Sequence, residues 1–201
     1  MCFNKTVSIT TYIIGMVGSL ALFMSNYVPE AIFYAWVIQM QLIEYFLWKN
    51  QTCSDTNKEI TKTGIFVNHM EPLVLWLAVG FGNLPVGVNA YMLGYGIWTY
   101  YVNRNIKSEC TVVTPESKSH LEWKWNDNKQ LYYICFLGAL VLVSLYGLGP
   151  VSGQNNAFLV VLSFMLSWVV YRDSKSVGAM WCFAAALAPF ILLSMNEVTS
   201  S

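Results

Sequence analysis

The feature that most constrains this chain is the length of its charge-free stretches. From Val7 to Met24 no residue carries a charge. A helix over those residues would rise about 27 Å, close to the roughly 30 Å hydrocarbon core of a bilayer. Further apolar runs follow at about 29–48, 64–81, 84–103, 130–148, 156–171 and 177–195. A backbone in lipid must satisfy its own hydrogen bonds, which leaves helices or closed barrels, and a barrel strand needs only about ten alternating residues. The runs therefore predict an all-α, seven-transmembrane helix bundle, a single transmembrane domain over 1–201 whose longest loop is 104–129. Composition agrees, since 11% of the 201 residues are charged against about a quarter in an ordinary soluble domain.

The connections predict an orientation. Seven spans place the N-terminus and the loops 49–63, 104–129 and 172–176 on one side, and short turns with the C-terminus on the other. All eleven basic residues fall on the first side, from Lys5 through Lys49, Lys58, Lys62, Arg104, Lys107, Lys118, Lys124 and Lys129 to Arg172 and Lys175. Basic loops are retained in the cytoplasm, so the N-terminus is expected inside and the C-terminus outside. Trp48, Tyr100, Tyr101, Trp123, Trp125 and Tyr171 are expected at the cytoplasmic interface. The first span reads as an uncleaved anchor, because its apolar run is long and no small-x-small cleavage site follows.

On that topology Cys2, Cys53 and Cys110 face a reducing compartment, so free thiols are expected rather than disulfides. The sequons Asn4-Lys5-Thr6 and Asn50-Gln51-Thr52 lie on the same face and are expected to stay unmodified. Cys53, Cys110 and His120 form a weak candidate metal set, without a C-x-x-C pair. The segment LEWKWNDNKQL (121–131) reads either as a short interfacial helix or as a solvated loop.

Charged side chains are costly in lipid, and Glu44, His69 and Glu71 are those assigned to span interiors. Gln41 and Glu44 share a face of helix two, and Asn68 and Glu71 share a face of helix three. Counted from the expected inner ends of the spans, Glu44, His69 and Glu71 lie at similar depth. Pro72 has no N–H for the Asn68 carbonyl, so a free acceptor and a kink are expected there. Gln41, Glu44, Asn68, His69, Glu71 and Pro72 thus make a candidate intramembrane polar site that can bind a cation, relay a proton or hold a polar group. The competing reading is that these groups hydrogen-bond one another and lock the helix packing. Gly15, Gly18, Ser19, Gly80, Gly82, Gly87, Gly94 and Gly96 are expected to allow close helix contacts. Ser163, Ser167 and Asn89 are expected in inter-helix hydrogen bonds, and Pro189 in a kink.

Several chemistries are excluded. A retinal cofactor needs a lysine within helix seven, and Lys175 lies before it, so no cofactor is expected. A three-histidine zinc site cannot be built from His69 and His120 alone. No P-loop, dinucleotide fingerprint or G-x-S-x-G occurs, and the balanced charge carries no nucleic-acid footprint.

Met1-Cys2-Phe3 with Val7-Ser8, MQLIEYFLW (Met40 to Trp48), Cys53 with Asn57, Thr61 and Gly64, and Asn68-His69 followed by Glu71-Pro72 form a set over roughly the first 80 residues. In these residues the chain resembles an uncharacterised family of polytopic membrane proteins of microbial eukaryotes, bacteria and large DNA viruses. The family more often carries Gln before this proline, so Glu71 departs from its pattern. The resemblance implies a shared helix-two to helix-three site and brings no activity with it. The expected function is a small transporter or channel in a multi-pass membrane protein, with the lipid bilayer as partner and an ion or small polar molecule as ligand. The alternatives are a membrane enzyme acting on a lipid-like substrate, and a scaffold or sensor without catalysis.

Overall fold

The computed structural model describes residues 4–105, 109–114, 121–123, 129–171 and 177–200. The fold is mainly helical: α1 (Lys5–Met24), α2 (Val28–Val37), α3 (Gln39–Lys49), α4 (Asp55–Val79), α5 (Val86–Asn105), α6 (Lys129–Gly147), α7 (Pro150–Tyr171), α8 (Val177–Ala185) and α9 (Ala188–Ser200). A short antiparallel pair, β1 (Val112–Val113) and β2 (Leu121–Glu122), lies between α5 and α6. Caps set two helix starts: Asn4 accepts from the Val7 N–H at 3.0 Å, and Ser54 from the Asn57 N–H at 3.3 Å. Each satisfies an otherwise orphaned first-turn donor.

Each apolar run is helical, but two runs are broken. The run expected over 29–48 divides at Ile38 into α2 and α3. At the break the Gln39 side-chain amide donates to the Ala35 carbonyl at 2.8 Å, supplying a donor where the ladder is interrupted. Ile38 itself packs against Gly15, which has no Cβ to obstruct it. The run over 177–195 divides at residues 186–187, just before Pro189, so the proline ends one helix and opens the next. Pro72 lies inside α4, which runs unbroken from Asp55 to Val79. Side-chain donors reach the carbonyls on both sides of Asn68, from Trp36 to Val67 at 2.9 Å and from Tyr95 to His69 at 3.0 Å.

One buried core joins the helices, with Phe33, Leu47, Leu75, Met92, Phe136, Leu140 and Leu192 among its members. The first and last helices meet at Gly18, where a Cβ would lie 2.9 Å from Pro189 and 2.8 Å from the Phe190 ring. Gly82, Gly87 and Gly94 have open space beside them, so the close contacts expected there do not form. Gly80 instead serves the turn after α4, at φ 86°, a region that disfavours a side chain.

Among the described residues, the helices Lys5–Met24 and Pro150–Val170 are by themselves long and apolar enough to cross a membrane. Large apolar side chains cover much of the outer surface, including Val17, Leu20 and Phe23 on α1, Leu93 and Ile97 on α5, and Leu166, Val169 and Val170 on α7. Glu30, Gln41, Glu44, His69, Glu71 and Asn156 are buried instead. Burial of such groups is uncommon and calls for partners, whereas Asp55, Glu59, Lys62 and Arg104 are exposed.

Candidate functional site

Of the six residues expected to make the polar site, Gln41, Glu44, His69 and Glu71 are fully buried and Asn68 is nearly so. Pro72 is buried inside α4. Asn68 donates to Glu71 Oε1 at 3.3 Å, one turn along α4. The phenol of Tyr132 on α6 donates to Asn68 Oδ1 at 2.7 Å. The second Glu71 oxygen, Oε2, is buried and accepts no hydrogen bond among the described residues. The result is a directed donor chain, Tyr132 to Asn68 to Glu71, ending on a carboxyl with one face uncommitted.

His69 points toward α5. Its Nδ1 lies 3.2 Å from Asn103 Oδ1, while the Asn103 amide nitrogen donates to the Thr99 carbonyl at 2.9 Å. That second bond orients the amide, so the proton between the two residues sits on His69 Nδ1. The imidazole also meets the Tyr132 ring edge-on at 4.8 Å between centroids. Tyr132 is in turn packed among Trp98, Tyr133 and Phe136.

Glu44 and Glu71 do not share a depth. Gly64 of α4 faces Ile43 of α3, where a Cβ would lie 3.1 Å from Ile43 Cγ2. From that level Glu44 is one residue toward the loop end and Glu71 seven residues away from it, an axial offset of about 12 Å. The physical reason is that α4 begins at Asp55 rather than near 64. Its first turns project beyond the expected boundary and lift His69 and Glu71 relative to α3.

A second polar cluster, not anticipated from the sequence, lies toward the turn end. Glu30 on α2 is 3% exposed and accepts a hydrogen bond from Ser152 on α7. Asn196 on α9 donates to Ser152 Oγ at 3.3 Å, and Asn155 donates to Asn196 Oδ1 at 2.8 Å. One turn deeper, Tyr34 donates to Asn156 Oδ1 at 2.7 Å, and Asn156 donates to Ser144 Oγ at 2.8 Å. The available signal was Glu30 directly after Pro29, an acid in the first turn of an apolar run. Asn103, Tyr132, Asn156 and Asn196 carried no spacing signal, because their partners lie on other helices.

At the loop end a third arrangement corrects several expectations. Cys53 and Cys110 form a disulfide, with Cα atoms 5.4 Å apart, so they are neither free thiols nor members of a metal set. His120 lies outside the described residues, and among those described no group of three His, Cys, Asp or Glu comes together as a metal site. Residues 121–122 form a strand rather than an interfacial helix. Trp123 is buried against Gly64. Asn57 donates to the Thr111 carbonyl at 3.0 Å and accepts from the Thr111 N–H at 3.0 Å. That N–H also reaches Thr61 Oγ1 at 3.2 Å. Cys53, just before α4, and Asn57, Thr61 and Gly64, spaced along one face of it, therefore hold residues 109–114 and Trp123.

Of the three residues expected to bond between helices, Ser163 and Asn89 do so, whereas Ser167 donates to the Ser163 carbonyl within α7 at 2.9 Å. Trp181 donates to Ser163 Oγ at 2.9 Å, and Trp76 donates to Asn89 Oδ1 at 2.8 Å. Trp125 lies outside the described residues. Comparisons with family models, curated proteins and solved structures find no match to this chain.

Proposed function

We propose that the chain is a multi-pass integral membrane protein of seven spans, with α2–α3 and α8–α9 each forming one broken span, and that it moves a proton or small cation. The N-terminus and the basic loops lie in the cytoplasm on this reading, and the C-terminus lies outside. The outward apolar surface supports insertion, because a surface of this kind is stable only against lipid or protein. Retention of basic loops supports the orientation.

The observation that carries the transport reading is three buried carboxyls at three depths. Glu30 and Glu44 are 14 residues apart along α2 and α3, about 21 Å of helix rise, and Glu71 lies between them on α4. Each is 3% exposed or less. Ionisable groups inside a membrane-facing bundle are expensive and are generally retained for ion or proton movement. The uncommitted Glu71 Oε2 is the acceptor at the middle station. The Ile38 break in the span supports a moving element, as interrupted spans do in transporters.

The test is purified protein in liposomes loaded with a pH-sensitive dye, under imposed proton and potassium gradients. Flux above protein-free liposomes is expected, with a loss of roughly tenfold or more in the Glu44→Gln/Glu71→Gln chain. Absence of flux in the native protein, or equal flux in the double variant, overturns the reading. Lipid turnover by the same preparation would instead favour a membrane enzyme, and a change in thermal stability alone would favour a scaffold.

A further inference from the structure

Residues 109–114 and 121–123 are fastened to the loop end by two kinds of contact. One is covalent, the Cys53–Cys110 bridge across 57 residues of sequence. The other is a set of ordinary contacts: the two-way amide clamp of Asn57 on Thr111, Gln51 Oε1 accepting from the Val113 N–H at 2.9 Å, and Trp123 laid over Gly64. The second set ties Thr111 and Val113, next to Cys110, to Asn57 and Gln51 without using the sulfurs. Cys53 is exposed and Cys110 half-buried, so both can be approached from solvent, whereas Cys182 is sealed in the core.

We propose that Cys53 and Cys110 form a reversible thiol–disulfide exchange site on the basic face of the bundle, one that reacts with low-molecular-weight disulfides of the glutathione type. This rests on the orientation given under Proposed function. Basic loops mark a cytosolic face, and a solvent-accessible disulfide in the cytosol is ordinarily transient, since the thiol pool there reduces it.

The exchange proceeds in two displacements. The thiolate of one cysteine attacks a sulfur of glutathione disulfide, forming a mixed disulfide and releasing one glutathione thiolate. The second cysteine thiolate then attacks the protein sulfur of that mixed disulfide and expels the second glutathione. The two protons lost by the cysteines end on the two glutathione thiols. Two protein thiols are oxidised by two electrons, and one glutathione disulfide is reduced. The reverse sequence opens the bridge. Closed, the bridge joins residues 109–114 to the loop before α4; open, the Asn57 and Gln51 hydrogen bonds join them to it.

The experiment uses the full chain in membrane vesicles of both orientations, incubated with glutathione buffers of graded thiol-to-disulfide ratio. A maleimide polymer then reports the thiols by gel shift, and limited proteolysis reports release of 109–123. The pair is expected to pass from disulfide to two thiols as the buffer becomes reducing, with several-fold faster cleavage in the reduced state. The buffer is expected to act only from the face carrying the basic loops. Cys53→Ser is expected to fold and to show the faster cleavage at every ratio. A pair that stays bridged in the most reducing buffer, or stays reduced in the most oxidising one, overturns the proposal. Reaction only from the opposite face overturns it together with the orientation. Failure of the flux assay leaves the gel shift unaffected, so a failed transport reading is distinguishable from a failed exchange site.

Discussion

The Tyr132 phenol of α6 is bonded to the Asn68 amide of α4 at 2.7 Å, across 64 residues of sequence. Through that bond the aromatic cluster on α6 determines which way the Asn68 amide points. Its oxygen is committed to Tyr132, so its nitrogen must face Glu71, where it donates at 3.3 Å. The orientation of the Glu71 carboxyl is therefore set from a helix that the sequence did not connect with it.

Removing the phenol should orphan a buried acceptor. Tyr132→Phe is expected to cost about 1–3 kcal/mol, the usual penalty for an unsatisfied buried polar atom, read as a lower melting temperature in detergent. In a double-mutant cycle with Asn68→Leu, the pair should cost less than the sum of the singles, because neither partner is then left unmatched. Strict additivity would show that the two residues are not coupled.

Gly64 leaves room for Trp123. A Cβ there would lie 2.5 Å from Trp123 Cη2, so Gly64→Ala is expected to lift the indole and cost about 1–3 kcal/mol, as overpacking does. Faster proteolysis within 109–123 is the readout. Trp123→Leu in the same chain should relieve part of the strain; if the double variant is cleaved faster still, the contact is not the cause.

Glu30 offers a test that separates charge from hydrogen bonding. Glu30→Gln keeps an acceptor for Ser152 and should cost under about 1 kcal/mol, whereas Glu30→Leu orphans the Ser152 hydroxyl and should cost about 1–3 kcal/mol. Thermal unfolding of both variants decides this. Equal losses would mean that the Ser152 contact does not support the fold.

The outer apolar surface makes a prediction about lipid. Leu93 is 57% exposed and Val169 is 72% exposed. Nitroxide labels placed there in liposomes should be relaxed strongly by oxygen and weakly by a water-soluble nickel complex, as positions in hydrocarbon are. A label at Lys58 should behave oppositely. Strong nickel relaxation at Leu93 or Val169 would remove them from the bilayer.

How much of this was legible from the chain can be argued residue by residue. The helical runs were visible because lipid-scale apolar length is a local property, present in the composition of each stretch. The burial of Gln41, Glu44, Asn68, His69 and Glu71 was visible for a related reason: polar side chains in apolar runs turn away from the apolar surroundings. The break at Ile38 was not visible, since it depends on Gly15 of another helix and on the Gln39 side chain finding the Ala35 carbonyl. The Asn57 stripe was noticed as a pattern, yet its purpose required Thr111, 54 residues away.

By itself, the sequence determined that the chain is helical, where most of its helices lie, and that Gln41, Glu44, Asn68, His69 and Glu71 face inward, because periodicity and charge density act over a few turns. Only the tertiary structure decided who meets whom. It set Glu71 about 12 Å from the level of Glu44 along the helix axis, gave Asn68 its tyrosine, and gave Glu30 its serine. It also joined Cys53 to Cys110. Those outcomes depend on helix register and on side chains distant in sequence, and no local pattern encodes a register between two helices.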